Sequence, residues 1–241
     1  MAIAEHVAQL KWGGDRWTQW RSRHPDICPD LSDLDLAGAD LRRLDLRGVS
    51  FKGSSLATAQ LDAANLSGAE LTLAILTDAS LHQAILHRAI LVGATLTTAN
   101  LRAADLSHAN LIGADLSHAN LRAANLNHAN LERASLSHVN GQGASLNQAN
   151  LSKANLYEAE LLSAFLYAAS LHKANLVNTH LTRAYLFNAD FSQANLVNTD
   201  LRWANLSNAN FDGANLQGVL LNGAIVTHTG LDSLKPERTE G

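Results

Sequence analysis

Four histidines lie ten residues apart, at His108, His118, His128 and His138, in a stretch whose residues 105–120 read DLSHANLIGADLSHAN. Evenly spaced imidazoles can ligate a metal or carry protons, provided the fold brings three or four ligands to one point. Whether it does depends on how many residues the backbone uses to return to the same face. Other chemistry is hard to find. There is no H-E-x-x-H, no glycine-rich phosphate loop and no nucleophile elbow. An enzyme is not expected, and neither is a cofactor.

The elements that position these side chains come from a period of five. Counting from Leu31 to Val226, forty consecutive positions fall in register. Thirty-five are Leu, and the others are Phe51, Gly141, Phe191, Phe211 and Val226. Two residues before each, from Leu34 to Ala224, thirty-one of thirty-nine positions are Ala. The residue just before the Leu is most often Asn, Asp or Ser, so the unit is A-(N/D)-L-x-x. A period of five fits neither a helix nor a simple strand. It fits a short extended step, with Ala and Leu two residues apart pointing inward, followed by a corner. Each buried Leu contributes about 1.5–3 kcal/mol, but one unit alone buries almost nothing, so stability must come from stacked neighbours.

This register, from Leu31 to about Thr229, resembles the bacterial pentapeptide-repeat proteins. The resemblance implies an all-β solenoid, a right-handed quadrilateral β-helix with twenty residues per coil. Forty units then make about ten coils, in a rod roughly 45–50 Å long. Three segments follow: a short α-helical N-terminal cap at 1–30, the β-helix at 31–230 and a C-terminal tail at 231–241. In the cap, AIAEHVAQLKW reads as a helix stopped by Gly13-Gly14, and Asp15 is placed to cap a second helix through Arg16–Arg23. Leu231 and Leu234 are expected to cover the far end only weakly.

Twenty residues per coil answers the histidine question. His108 stacks on His128 and His118 on His138, on opposite faces. The column at 118, 138 and 158 reads His, His, Glu, but its members step along a line instead of converging. No metal site is expected, only surface histidines with a mild pH response near 6–7. Gly141 interrupts the Leu column, marking a small bulge or shallow cavity partly filled by Val139.

Outward positions are normally small or polar, so the exceptions are informative. FLY around Leu166 and YLF around Leu186 place Phe165, Tyr167, Tyr185 and Phe187 as a two-by-two aromatic cluster on adjacent coils. Such a cluster either stabilises the wall through cross-strand pairs or offers a protein interface. Tyr157, Val177 and Val197 form a weaker group on the opposite face. Leu220 and Ile225 point outward on the last coil, a candidate end-to-end interface.

Three functions follow from these surfaces. The first is a non-catalytic protein-interaction scaffold with an unidentified protein partner. The second, implied by the resemblance, is mimicry of duplex DNA toward DNA gyrase or topoisomerase. That role needs a strongly acidic surface, whereas the whole chain carries only −4 and the repeat has 15 acidic against 12 basic residues. The third is self-association, as a homodimer. No basic stripe suggests direct nucleic-acid binding, and no apolar run is long enough to span a membrane. The start lacks a basic leader, and Cys28 is the only cysteine; both fit a cytoplasmic location.

Overall fold

The computed structural model describes residues 2–231. Two helices, α1 (Ala4–Lys11) and α2 (Gly14–Arg23), precede the repeat. Helix α2 begins at Gly14, two residues earlier than the sequence suggests. Gly13 is its N-cap, with no side-chain cap bond, and Asp15 sits inside the first turn. There its carboxylate faces the positive end of the helix dipole without capping it.

Beyond Pro29 the chain forms a parallel solenoid. Residues before the inward column bridge to the residue twenty positions later, from Asp30↔Ser50 to Asn205↔Ile225. The bridges fall into four columns, beginning at Asp30, Asp35, Asp40 and Asp45, so the coil has four sides. Coils meet through these single bridging residues and not through extended strands. The five-residue unit explains this. Its inward Leu amide donates to the next coil, as Leu56 N–H does to the Ile75 carbonyl at 2.7 Å. The Ala amide instead closes a turn back to its own Leu, as Ala59 N–H does to Leu56 at 3.0 Å. Each straight run therefore ends at a corner almost as soon as it starts.

The corner imposes a backbone constraint. All forty residues two positions after the inward column, from Asp33 to His228, have φ between about +51° and +73°. A type II turn requires that sign at its third residue. Ten of these corners are Gly; the other thirty include His108, His118, His128, His138 and His228. Histidine, with Asn and Asp, is enriched in this left-handed region, so the spacing of the histidines follows from the turns.

Leu and Ala side chains fill the interior, nearly all inaccessible. Phe191 and Phe211 stack inside at 4.9 Å. Where Ser54, Thr179 and Thr199 replace Ala, each hydroxyl donates to a carbonyl of the coil before it, at 2.7 Å to Leu31, Leu156 and Leu176. Gly141 makes no bulge. It keeps its 2.8 Å bond to the Glu160 carbonyl, and the bridge Asn140↔Glu160 persists. The expected cavity is taken up by Leu161, whose Cδ2 lies 2.7 Å from where a Gly141 Cβ would stand.

The N-terminal helices sit on the first coil. Trp17 is fully buried and Trp20 and Leu10 join the same core. Edge groups that interior coils pair with a preceding coil are met here by this segment. Ile3 N–H donates to the Asp30 carbonyl, and Asp30 N–H donates to His6 Nδ1. Trp17 Nε1–H donates to the Asp45 carbonyl at 2.8 Å, and Arg21 donates to the Arg47 carbonyl at 2.9 Å. Coverage is partial, since Leu34, Leu36 and Ala39 stay half-buried.

The corner constraint is testable at Gly113, where φ is +64° and a Cβ would meet nothing within 4 Å. Gly113→Val should lose about 1–2 kcal/mol from backbone strain alone, and Gly113→Asn distinctly less, both measured by urea unfolding.

Candidate functional site

The structure separates the histidines into the two pairs the period implies. His108 and His128 stack at 4.7 Å with planes 6° apart, and His118 and His138 do the same. His87 meets His108 edge-on at 5.5 Å. His138 Nδ1 lies 3.3 Å from a Glu158 oxygen, and His180 Nδ1 lies 3.0 Å from Glu160. These four and Asn178 border an open concavity of about 420 Å³. Among the described residues, no three His, Cys, Asp or Glu side chains are placed to hold a metal ion.

The four aromatic rings do not form a closed two-by-two set. Tyr167 stacks on Phe187 at 6.0 Å, and Phe187 lies 6.3 Å from Tyr185. Phe165 bridges Tyr185 through the backbone, yet its ring is in none of these stacks and is 50% exposed. Tyr185 is 39% exposed, while Tyr167 and Phe187 are half-buried. The neighbouring positions on this wall are polar. Asn147 accepts from the Tyr167 amide, and Asn205 and Ser207 follow on the next coil.

Leu220 and Ile225 are both exposed, on two sides of one corner of the last coil. Beneath that corner stands an aromatic that is not beside an inward Leu. Trp203 occupies a corner on the coil before, at φ +62° and 63% exposed. Its ring lies over Gly223, where any Cβ would come within 2.2 Å of it. The signal was legible: Gly213, Gly218 and Gly223 occupy three successive corners. Leu73, Ile75, Ile85 and Ile90 are also exposed, within one coil but on three of its four sides. The three isoleucines take the place of the usual Asn, Asp or Ser before the inward Leu. The weaker group is split. Tyr157 packs edge-on against His138 at 5.6 Å, while Val177 and Val197, both half-buried, follow it in the same column on the next two coils.

Charge on the wall is locally neutralised. Arg42 forks onto Asp40, holding its carboxyl down to about 2, and Arg47 and Arg202 pair in the same way with Asp45 and Asp200. Each Arg sits two residues after its Asp, flanking an inward Leu, so the pair lies side by side on one face.

The repeat itself decides the family. The pentapeptide-repeat model matches in eight copies, over residues 30–68, 54–93, 99–138, 136–172, 164–202 and 184–223. The chain belongs to the pentapeptide-repeat family. The family fold is the right-handed quadrilateral β-helix, consistent with the four bridge columns. No curated protein matches the chain. Among solved structures it is similar to HetL, a pentapeptide-repeat protein involved in heterocyst differentiation regulation in the cyanobacterium Nostoc sp. strain PCC 7120. The two are 38% identical over 82% of this chain and 87% of HetL, with a TM-score of 0.56. Rfr23 of the cyanobacterium Cyanothece 51142 is 34% identical over 46% of this chain and 62% of its own, at a TM-score of 0.29. QnrB1, a plasmid-mediated fluoroquinolone resistance protein, is 17% identical over 83% of this chain and 92% of its own, at 0.48. Both of these scores are too low to carry weight here.

Gly223→Ala tests the Trp203 contact. It should cost about 1–3 kcal/mol in urea unfolding, through overpacking against the indole and strain at φ +73°, and the overpacking share should disappear in the Trp203→Ala background.

Proposed function

We propose that this pentapeptide-repeat protein is a non-catalytic scaffold that binds another protein through the aromatic face of Phe165, Tyr167, Tyr185 and Phe187. The observation behind this reading is that two large rings, Phe165 and Tyr185, stand exposed on adjacent coils, flanked along their column by the polar Asn125, Ser145 and Asn205. Exposed aromatics are the residue type on which protein interfaces concentrate binding energy. A rod of about ten coils, with residues 1–30 as its N-terminal cap and 231–241 as a tail, would present that face without an ordering cost. Residues 232–241, including Leu234, lie outside the described residues, so the tail is assigned on sequence alone. Among the described residues no helix is long and apolar enough to cross a membrane, and a cytoplasmic location is part of the proposal. That HetL is involved in regulation fits a role exercised by contact.

Self-association is the second reading, favoured by Leu220 and Ile225 on the last coil standing beside Trp203 on the coil before it. Mimicry of DNA toward gyrase is disfavoured, because Asp40, Asp45 and Asp200 are each paired with Arg and present no acidic ladder.

The test is capture from lysate of the source cell with parent and Phe165→Ser/Tyr185→Ser chains, both first shown to keep the same circular dichroism. The scaffold reading predicts a partner retained by the parent and lost by the variant; identical profiles would remove the aromatic face from consideration. Mass in solution addresses the second reading: a dimer that Leu220→Asp converts to monomer supports it, and a monomeric parent excludes it.

A further inference from the structure

The two histidine stacks have the same internal geometry and opposite electrical surroundings. His108 and His128 follow Arg88 in one corner column, each one coil beyond the last, so protonation of both would line up three cations about 4.8 Å apart. His87 adds a fourth basic group, edge-on to His108 and bonded through Nδ1 to the Ser107 hydroxyl at 2.9 Å. The one acid near this corner is Asp105, whose Oδ1 already accepts from Ser107 N–H and from Asn125 Nδ2. The coil beyond His128 presents Ser145, Asn147 and Gln148, all uncharged.

At the diagonally opposite corner the column runs Asp78, Thr98, His118, His138, Glu158. Glu158 touches His138 at 3.3 Å. Its carboxyl is held below the usual range by Tyr157 and Asn178, with His138 and His180 adding to the effect, so it stays ionised through mild acid. Asp115 lies on the same face as His118, and Glu160 and His180 pair with each other on the adjoining face.

From this contrast we infer that the solenoid carries a one-sided proton-sensitive joint: mild acid loosens the corner built on Arg88, His108 and His128 and spares the corner built on His118, His138 and Glu158. The sign follows from linkage. Desolvation first, then His128, His87 and Arg88, hold His108 below its ordinary 6.5. The folded chain therefore binds fewer protons at this site than the unfolded chain once pH falls below 6.5. Stability from the corner is complete above 6.5 and declines as pH drops below it toward the depressed value. The coils at this corner are held by the amides of His108 and His128, which donate to the Asn127 and Asn147 carbonyls at 3.0 and 2.9 Å. The matching bonds at the other corner run from His118 to Ser137 and from His138 to Tyr157, both 2.9 Å. A joint of this kind would let pH alter the bend or exposure of one edge of the rod while its four-sided core persists.

Amide hydrogen exchange of the full chain at pH 7.5 and pH 5.5, corrected for intrinsic rates, reads both corners at once. The amides of His108 and His128 should lose protection by roughly threefold or more on acidification, and those of His118 and His138 should not. Equal loss at both corners, or none at either, overturns the inference. His128→Asn places a residue that already occupies this corner column at Asn188 and Asn208; it should weaken the acid response at the His108 amide, and an undiminished response would also overturn the inference. Glu158→Gln is the converse. It should make the protected corner acid-sensitive, and an unchanged His138 amide would contradict the assigned role of the carboxylate.

Discussion

Everything in this molecule depends on one backbone constraint, the positive φ at the second residue after each inward side chain. It closes a turn every five residues, and four such turns return the chain to its starting face after twenty. Because each corner repeats in register, inward Leu stacks on Leu and Ala on Ala, and the dispersion and burial that stabilise the core become nearest-neighbour terms. The cost is strain at thirty corners that lack glycine. Asn, Asp and His relieve it in part, and inter-coil hydrogen bonds from the corner amides, Asp33 through Asn208, hold the remainder in place. The surface is thus composed first of what the corners tolerate and only second of what a partner would need.

That ordering separates ornament from signal. A histidine at a corner is accounted for by the turn, and so is an Asn before the inward Leu, whose side chain accepts from the amide two residues on, as Asn130 does from Glu132. A phenylalanine at position 165, a tyrosine at 185 or an isoleucine at 75, 85 or 90 is not accounted for by turn, ladder or core. Such positions keep apolar area in water, and they concentrate on two stretches of the rod. The ends follow the same logic. At the first coil Trp17, Arg21, His6 and Ile3 answer edge carbonyls and amides that would otherwise invite another chain. At the last coil Leu220, Ile225 and Trp203 leave an apolar corner in the open.

Most of the fold was legible because its period is strict. Forty units in register fix which side chains point inward, and the stacking of His108 on His128 follows by counting. What sequence did not reveal was side-chain choice within that frame. The count could not show that Leu161 would lean into the space left by Gly141, nor that Phe165 would stand apart while Tyr167, Phe187 and Tyr185 stacked. It could not show that Gly13 would cap α2 with Asp15 inside the first turn, since a glycine and an acid two residues apart compete for the same cap. Trp203 was hidden for another reason: its meaning lies in Gly223, twenty residues away, whose missing side chain makes room for the indole.

The claim that matters most is that Phe165 and Tyr185 face outward for a partner and contribute little to the fold. Urea unfolding of Phe165→Asn/Tyr185→Asn measures it directly, because Asn already fills this column at Asn65, Asn125 and Asn205. A stability within about 0.5 kcal/mol of the parent is the predicted result. A loss of roughly 1 kcal/mol or more would mark the rings as cross-strand stabilisers and contradict the account.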